Sequence, residues 1–530
     1  MIFRCKSDNQ STFALNYEKE VYYSRDHGNN WHNLQPIIKK STNSPWGISW
    51  SFVKLTQSPA NHDHMIISSD TNNNWVTDNC GQNWYLTADH LNLHTFRYHP
   101  HLEGKVLAMS RKTCGAEAST RCKEYNVLYY SEDSGKNWKP IQTHVYKAIW
   151  GREARYGYGI NPLSIFIIRQ ENKKRSQPER MSHYSKVAQT SVYFSDDLFN
   201  RTRKVVSGGF RMMVSRCCLF VQKPTIQSTK ILVSEVWNNH FRWLNVNLLE
   251  DESYVDFRII NDLNSFKTYM YATREVGDNR EKVSDLLKSD YSSANYTLIH
   301  SNLVVNTNNR ESSFTELEAL EDLSIINVYD EAMLDFLERQ NDEEDDLQSG
   351  GQGTSRSKNQ RFKVKKRNFV KTKISFNSGG NYKLLKPPSV DSYNEPYTSC
   401  STCSLHLHTQ ESENFPQVYS SKTAPGLLLG VGNVGRHLKY KNSQLATFVS
   451  LDGGVSWKEM LKGVHIYEIG DQGGLIVLAP YGIPTSMVIV SHDYGATLKA
   501  VTFTKSPVMV SLSNPFERPS IGRVNQSSTR

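Results

Sequence analysis

Short runs of β-branched and aromatic residues recur along the chain, each ended by a hydroxyl residue and a cluster of turn formers. This rhythm predicts many short strands rather than helices. Val21-Tyr22-Tyr23 leads into Ser24-Arg25-Asp26-His27-Gly28-Asn29-Asn30-Trp31. Val127-Leu128-Tyr129-Tyr130 leads into Ser131-Glu132-Asp133-Ser134-Gly135-Lys136-Asn137-Trp138. The shared form is a strand, then Ser/Thr-x-Asp-x-Gly, then an aromatic three residues after the glycine. Ser450-Leu451-Asp452-Gly453-Gly454-Val455-Ser456-Trp457 repeats it. Other copies are worn. Thr77 to Trp84 has Asn79 for aspartate ahead of Gly81, and Ser375 to Tyr382 has Asn377, Gly379 and a tyrosine for tryptophan. Ser491-His492-Asp493-Tyr494-Gly495 ends in Leu498, Ser195-Asp196-Asp197 lacks the glycine, and Ser234 and Ser289 keep only strand-then-serine.

The chemistry of the pattern is that of a hairpin turn. An aspartate carboxylate accepts hydrogen bonds from turn N–H groups, and glycine permits positive φ. The aromatic is expected to pack beside the next sheet. The pattern is an Asp-box, and its residues serve the local backbone rather than catalysis. The nine starts lie at 24, 77, 131, 195, 234, 289, 375, 450 and 491. Units of about 40–60 residues with four short strands each are propeller blades. The expected fold class is therefore all-β: a multi-bladed β-propeller over residues 1–515, incomplete at its termini, with 516–530 as an irregular tail.

Two stretches interrupt the repeat. Within 338–368, Asp342-Glu343-Glu344-Asp345-Asp346, a Gly-rich linker and Arg361-Phe362-Lys363-Val364-Lys365-Lys366-Arg367 read as a disordered charged insert in one blade, with Lys366-Arg367 open to a dibasic-directed protease. Residues 312–340 hold the one helical periodicity, with Ser313 and Glu316 resembling a capping box, but Leu323 to Val328 is strand-like. The expectation there is a blade strand with short helical edges.

Two motifs invite chemistry. Gly430-Val431-Gly432-Asn433-Val434-Gly435 has the dinucleotide-binding spacing, yet no helix pattern opens at its third glycine, where the pyrophosphate would sit. Cys400, Cys403, His406 and His408 have a metal-like spacing, but a tetrahedral zinc site draws its second ligand pair from a distant segment. A disulfide through Cys400 and Cys403 is the stronger reading, and Cys114 and Cys122 flank a loop as a local bridge would. Cys217 and Cys218, being adjacent, are expected to pair elsewhere or stay buried.

Composition narrows the class. Of 530 residues, 38% are hydrophobic and 22% charged, which excludes wholesale disorder. The net charge of +9 is small for this length and comes with no basic helix or RNA-binding aromatic motif, so no nucleic-acid partner is expected. No apolar run approaches the ~18 residues of a membrane span, and the start shows no secretory leader. Yet eight cysteines and four N-glycosylation sequons, at Asn9, Asn200, Asn295 and Asn525, have an extracytoplasmic character. No pattern calls for a metal, a cofactor or a catalytic residue set.

The last third resembles the VPS10 domain of sortilin-type receptors. The resemblance lies in Thr372 to Gly380 with Leu384-Leu385-Lys386-Pro387-Pro388, Cys403 to His408, Ala424 to Gly435, the box at Ser450 and, most specifically, Leu461 to Val477. It covers about 20–515 and is strongest from 370 on. It implies a ten-bladed propeller whose tunnel binds peptide segments of cargo proteins. Such receptors are membrane glycoproteins, not enzymes, and carry cargo between Golgi, endosomes and lysosome or vacuole, with the propeller on the luminal side. Ligand-contact residues cannot be carried over, because no position matches a motif tied to contact. The family's leader, cysteine-rich module, membrane span and tail are not seen in this chain, so membrane attachment would come only through a span outside it. Two other classes are a sialidase-like Asp-box glycosidase, which needs an arginine cluster or facing carboxylates, and a truncated, non-functional paralogue.

Overall fold

The computed structural model describes residues 2–8, 10–15, 19–41, 51–71, 73–113, 124–151, 161–170, 190–215, 218–224, 229–237, 240–248, 254–261, 267–276, 281–305, 313–330, 332, 369–397, 402–410, 415–508 and 510. The charged insert at 338–368, the tail at 516–530, Asn9, Asn525, Cys114, Cys122 and Cys400 lie outside them. The described residues are almost wholly β; Gln35–Ser41 is a short helix, and Asp89–Leu91, Asn442–Gln444 and Asp471–Gly473 are single 3-10 turns. The chain divides into two compact units, Met1–Val246 and Asn247–Asn514.

The described residues of the first unit form five four-stranded antiparallel sheets, each a meander of consecutive strands. Their first strands are Ile2–Arg4, Phe52–Gln57, Leu93–Tyr98, Val145–Trp150 and Arg211–Val214. The sheets stack face to face, so most central strands are buried on both sides and lose the apolar–polar alternation of a half-exposed strand. In the second sheet Met65, Ile67 and Trp75 pack towards Phe13 and Val21 of the first. Their neighbours Ile66 and Val76 pack towards Leu93, Val106 and Ala108 of the third. The same division continues. Leu107 and Leu128 meet Trp150 and Ile165, and Ile149 and Phe166 meet Met212 and Val221.

The second unit repeats the plan. A sheet beginning at Asp256–Asn261 and one beginning at Phe314–Glu316 are joined through the pair Leu303–Val328, followed by sheets that begin at Ser404–Leu407 and His465–Gly470. Cores again lie between consecutive sheets. Tyr269 and Leu286 pack on Phe314 and Ile326, Ile325 and Ile374 on Leu405 and Phe448, and Val431 and Val449 on Tyr467 and Ile476.

One expectation is corrected here. Residues 313–322 carry no helix: Phe314–Glu316 is a strand paired with Ser324–Ile326. Ser313 does not cap a helix but donates its hydroxyl to the Asn327 carbonyl, 2.5 Å away. Leu317, Ala319 and Leu323 are buried between the seventh and eighth sheets. The Gly430 to Gly435 motif lies inside the strand Leu428–Gly435, paired on both sides. Gly432 is required by space, since a Cβ there would sit 1.8 Å from the His406 carbonyl oxygen.

Candidate functional site

All nine sequence repeats fall on the third strand of a sheet. Eight of the nine start residues end that strand, at Ser24, Thr77, Ser131, Ser195, Ser289, Ser375, Ser450 and Ser491, and Ser234 lies within Thr229–Trp237. Seven turns share one hydrogen-bond scheme. In the first, the Ser24 hydroxyl donates to Asp26 at 2.7 Å and accepts from the Gly28 N–H at 2.8 Å, while Asp26 accepts from the Asn30 N–H at 2.9 Å. Asp133, Asp452 and Asp493 repeat it with Ser131 and Gly135, Ser450 and Gly454, and Ser491 and Gly495. Asn79 and Asn377 stand in for the carboxylate, each amide oxygen accepting from Thr77 or Ser375 and from the N–H four residues on.

The electrostatics match that geometry. Bonds from the Asn30 backbone and side chain and the Ser24 hydroxyl hold Asp26 down at about 2. Asp493 is held at about 2 by the Thr497 hydroxyl and N–H and by Ser491. A carboxylate so satisfied is a poor proton donor and a poor nucleophile, because its charge is already neutralised by fixed donors.

The turn aromatics pack backward rather than forward. Trp84 lies edge-on to Phe13 of the preceding sheet at 6.2 Å, and the Trp138 indole N–H donates to Thr87, just past the second sheet, at 2.7 Å. Trp457 is buried with Ile325 and Ile374 of the sheet before its own, whereas Trp31 is 40% exposed. The Ser195 turn keeps the scheme without glycine, the Phe199 N–H taking the glycine's place. Ser234 and Ser289 instead accept from the Leu219 and Thr268 N–H groups of the adjacent strand, and Asp290 braces its turn one residue early through Ser292 and Asn295.

The cysteines hold more than spacing reveals. Cys5 and Cys80, 75 residues apart, form a disulfide with Cα atoms 5.8 Å apart, tying the first sheet to the turn of the second. Asp63 accepts from the Lys6 and Ser7 N–H groups beside it, and Arg25 donates to the Cys80 carbonyl at 3.0 Å. Cys218 and Cys403 are also disulfide-bonded. His406 and His408 do not face a metal. His406 Nδ1 accepts from the Thr372 N–H and its Nε2 meets the Gly435 carbonyl; His408 stacks on Phe415 at 4.1 Å and its Nε2 meets the Lys439 carbonyl. Burial lowers them to about 4 and about 3, so both rings are neutral struts between strands.

Other carboxylates are braced too. Asp285 accepts from Arg274 at 2.9 Å and from the Asn302 N–H at 3.1 Å. Buried Glu459 takes Lys462 at 2.7 Å, the Ser392 hydroxyl at 2.9 Å and the Tyr397 hydroxyl, and Lys462 also reaches Asp391, which anchors the 389–397 loop. Within the first unit, the first strands are different. Among the described residues each pairs with its second strand alone, and an edge of this kind can take an added strand where its carbonyls, unlike those of Arg4 and Met212, do not already accept from Gln57 and Lys147. These edges are the part of the structure suited to holding an extended peptide, and sequence pattern alone did not single them out.

Comparison with known proteins decides the family. The family model described as "Sortilin, neurotensin receptor 3" (Sortilin-Vps10) matches residues 19–512. The chain belongs to the Sortilin-Vps10 family. Vacuolar protein sorting/targeting protein 10 of Paracoccidioides brasiliensis (strain Pb18) is 24% identical over 524 residues, 95% of this chain and 31% of the relative. Its namesake in Mycosarcoma maydis is 28% identical over 447 residues, 81% of this chain and 27% of the relative. That of Clavispora lusitaniae (strain ATCC 42720) is 44% identical over 146 residues, 26% of this chain and 10% of the relative. The chain thus spans under a third of the length of these curated relatives. Its described sheets are mostly four-stranded antiparallel meanders, the form a propeller blade takes.

Proposed function

We propose that this chain is the cargo-binding, luminal part of a sortilin-type sorting receptor. In this reading it is a non-catalytic propeller that holds peptide segments of cargo proteins for transport from Golgi to endosomes and on to the vacuole or lysosome. The observation that carries the reading is the family match, which runs from before the third strand of the first sheet through the ninth sheet. The relatives named for vacuolar sorting support it. So do the open first-strand edges, to which a peptide can add by main-chain hydrogen bonds.

The finer features follow from the same reading. The seven stapled turns are Asp-boxes, and the nine described sheets are blades of a ten-bladed ring. Asn200 and Asn295, both exposed, are N-glycan acceptors, and the Cys403 disulfide is luminal oxidation at work. The test is direct. The chain, secreted from a eukaryotic host and immobilised, is exposed to propeptides of soluble vacuolar enzymes. Saturable binding that free propeptide competes away supports the reading, and a folded chain that binds none of them rejects it.

A further inference from the structure

The first strands of the five sheets in the first unit stand side by side. Gln57 donates to the Arg4 carbonyl at 2.7 Å, linking the first and second sheets at this edge. The Trp150 indole N–H reaches the Arg97 carbonyl at 3.1 Å, and the Lys147 ammonium the Met212 carbonyl at 2.8 Å, linking the third, fourth and fifth. Lys54 and Arg97 close the gap between second and third, near enough for their charges to interact.

This row has one sign of charge. The segments IFR, FVKLTQ, LHTFRY, VYKAIW and RMMV contain Arg4, Lys54, Arg97, Lys147 and Arg211 and not one aspartate or glutamate. The corresponding strands of the second unit, DFRIIN, FTE, SLHL and HIYEIG, hold Asp256, Glu316 and Glu468 against Arg258. The chain's overall excess of basic residues is too small to dictate such a split. Between the cations the row exposes apolar surface, with Val53 51% and Tyr146 54% accessible.

The surroundings are also partly dehydrated. Lys54 and Tyr146 are open to solvent, yet desolvation lowers the lysine's pKa, with Arg97 adding in the same direction, and raises the tyrosine's. A side chain that is accessible and desolvated at once lies on a crowded wall, where low dielectric strengthens its pull on an opposite charge. A carboxylate placed beside Lys54 gains from that pull. The open backbone edges favour a polypeptide over other polyanions, because its amides supply the donors and acceptors an edge strand lacks.

We infer that the first-strand row of the first unit is a docking surface for an acidic peptide segment in extended conformation, with Lys54 and Arg97 at its centre. This rests on the peptide-binding reading and adds the chemistry of the peptide.

The experiment uses the whole 530-residue chain and three fluorescently labelled peptides of equal length, rich in Asp/Glu, in Ser/Thr or in Lys/Arg, followed by anisotropy at low and at physiological ionic strength. The acidic peptide is expected to bind best and to weaken with salt. Lys54→Glu and, separately, Arg4→Glu should each weaken it by about tenfold, Lys54→Gln by less, and Lys499→Glu on the ninth sheet should leave it unchanged. All three positions are exposed, and unchanged melting temperatures exclude misfolding. If no peptide binds, the peptide-binding reading itself fails. If all three bind equally and Lys54→Glu changes nothing, that reading stands and the acidic preference is wrong. Displacement of the acidic peptide by a polyphosphate chain at equal charge concentration would show a general polyanion site and overturn the proposal.

Discussion

Phe199 donates its backbone N–H to the Ser195 hydroxyl at 2.8 Å from a left-handed conformation, φ +68°, that glycine occupies in the six equivalent turns. The hydrogen-bond scheme is strong enough to hold a bulky residue where its Cβ is unwelcome, at a cost of about 1–2 kcal/mol.

That relationship inverts the usual order of substitutions. Glycine in place of Phe199 removes the backbone strain, whereas alanine keeps it, and both lose the same packing of the ring against the third and fourth sheets. Phe199→Gly should therefore be more stable than Phe199→Ala by about 1 kcal/mol. Urea unfolding of the two variants checks this, and a more stable alanine variant contradicts it.

The turn carboxylates impose an acid limit on stability. Asp26 and Asp493 are held at about 2 in the folded chain, against about 3.9 unfolded. A depressed folded value contributes stability that is present above pH 4 and lost as pH falls towards 2. An Asp26→Asn, Asp493→Asn chain keeps the acceptor geometry that Asn79 and Asn377 already use, so its melting temperature should fall less between about pH 4 and 2 than that of the natural chain. Parallel curves through that window would argue against the staple.

His406 and His408 act in a different window. Their folded values of about 4 and about 3 lie below the unfolded 6.5, so the unfolded chain takes up protons first as pH drops. Stability should be full above about pH 6.5 and fall by about 1.4 kcal/mol per pH unit per histidine below it. His408→Phe, which keeps the stack on Phe415, should flatten the fall in melting temperature between pH 7 and 5. An unchanged slope would remove His408 from the account.

Gly432 and the Cys5–Cys80 bridge are two further points of control. Gly432→Ala drives a methyl into the His406 carbonyl and should cost about 3 kcal/mol or more, while Gly430→Ala meets the side-chain ends of Leu407 and Val418 and should cost less. Cys5→Ser with Cys80→Ser opens a long loop and should cost about 4 kcal/mol. With both cysteines buried, reductant and iodoacetamide should label neither before unfolding. Melting temperatures and peptide mapping read out both.

What the sequence discloses and what it hides divide along physical lines. The repeats are legible because each turn is local: Ser24, Asp26 and Gly28 satisfy one another within five residues. The rejection of a nucleotide-binding turn at Gly430 to Gly435 is equally local, since no helix pattern follows the third glycine, whereas its place inside the strand Leu428–Gly435 is not legible in the sequence. The helical edge at 313–322 misleads because Leu317 and Ala319 are placed by two flanking sheets, which one-dimensional spacing does not encode. The Cys5–Cys80 bridge spans 75 residues and exists only because consecutive sheets stack. The cationic first-strand row is hidden for the same reason. Arg4, Lys54, Arg97, Lys147 and Arg211 are scattered singly along the chain and become neighbours only when first strands line up.

The central claim is that the chain holds peptide through its first-strand edges. Hydrogen–deuterium exchange of the whole chain, with and without a saturating vacuolar-enzyme propeptide, tests it most directly. The account predicts new protection in first strands such as Phe52–Gln57, Leu93–Tyr98 and Val145–Trp150, with the stapled turns at Ser24, Ser131 and Ser450 unchanged. Protection confined to those turns or to the fourth strands, with the first strands untouched, would contradict it.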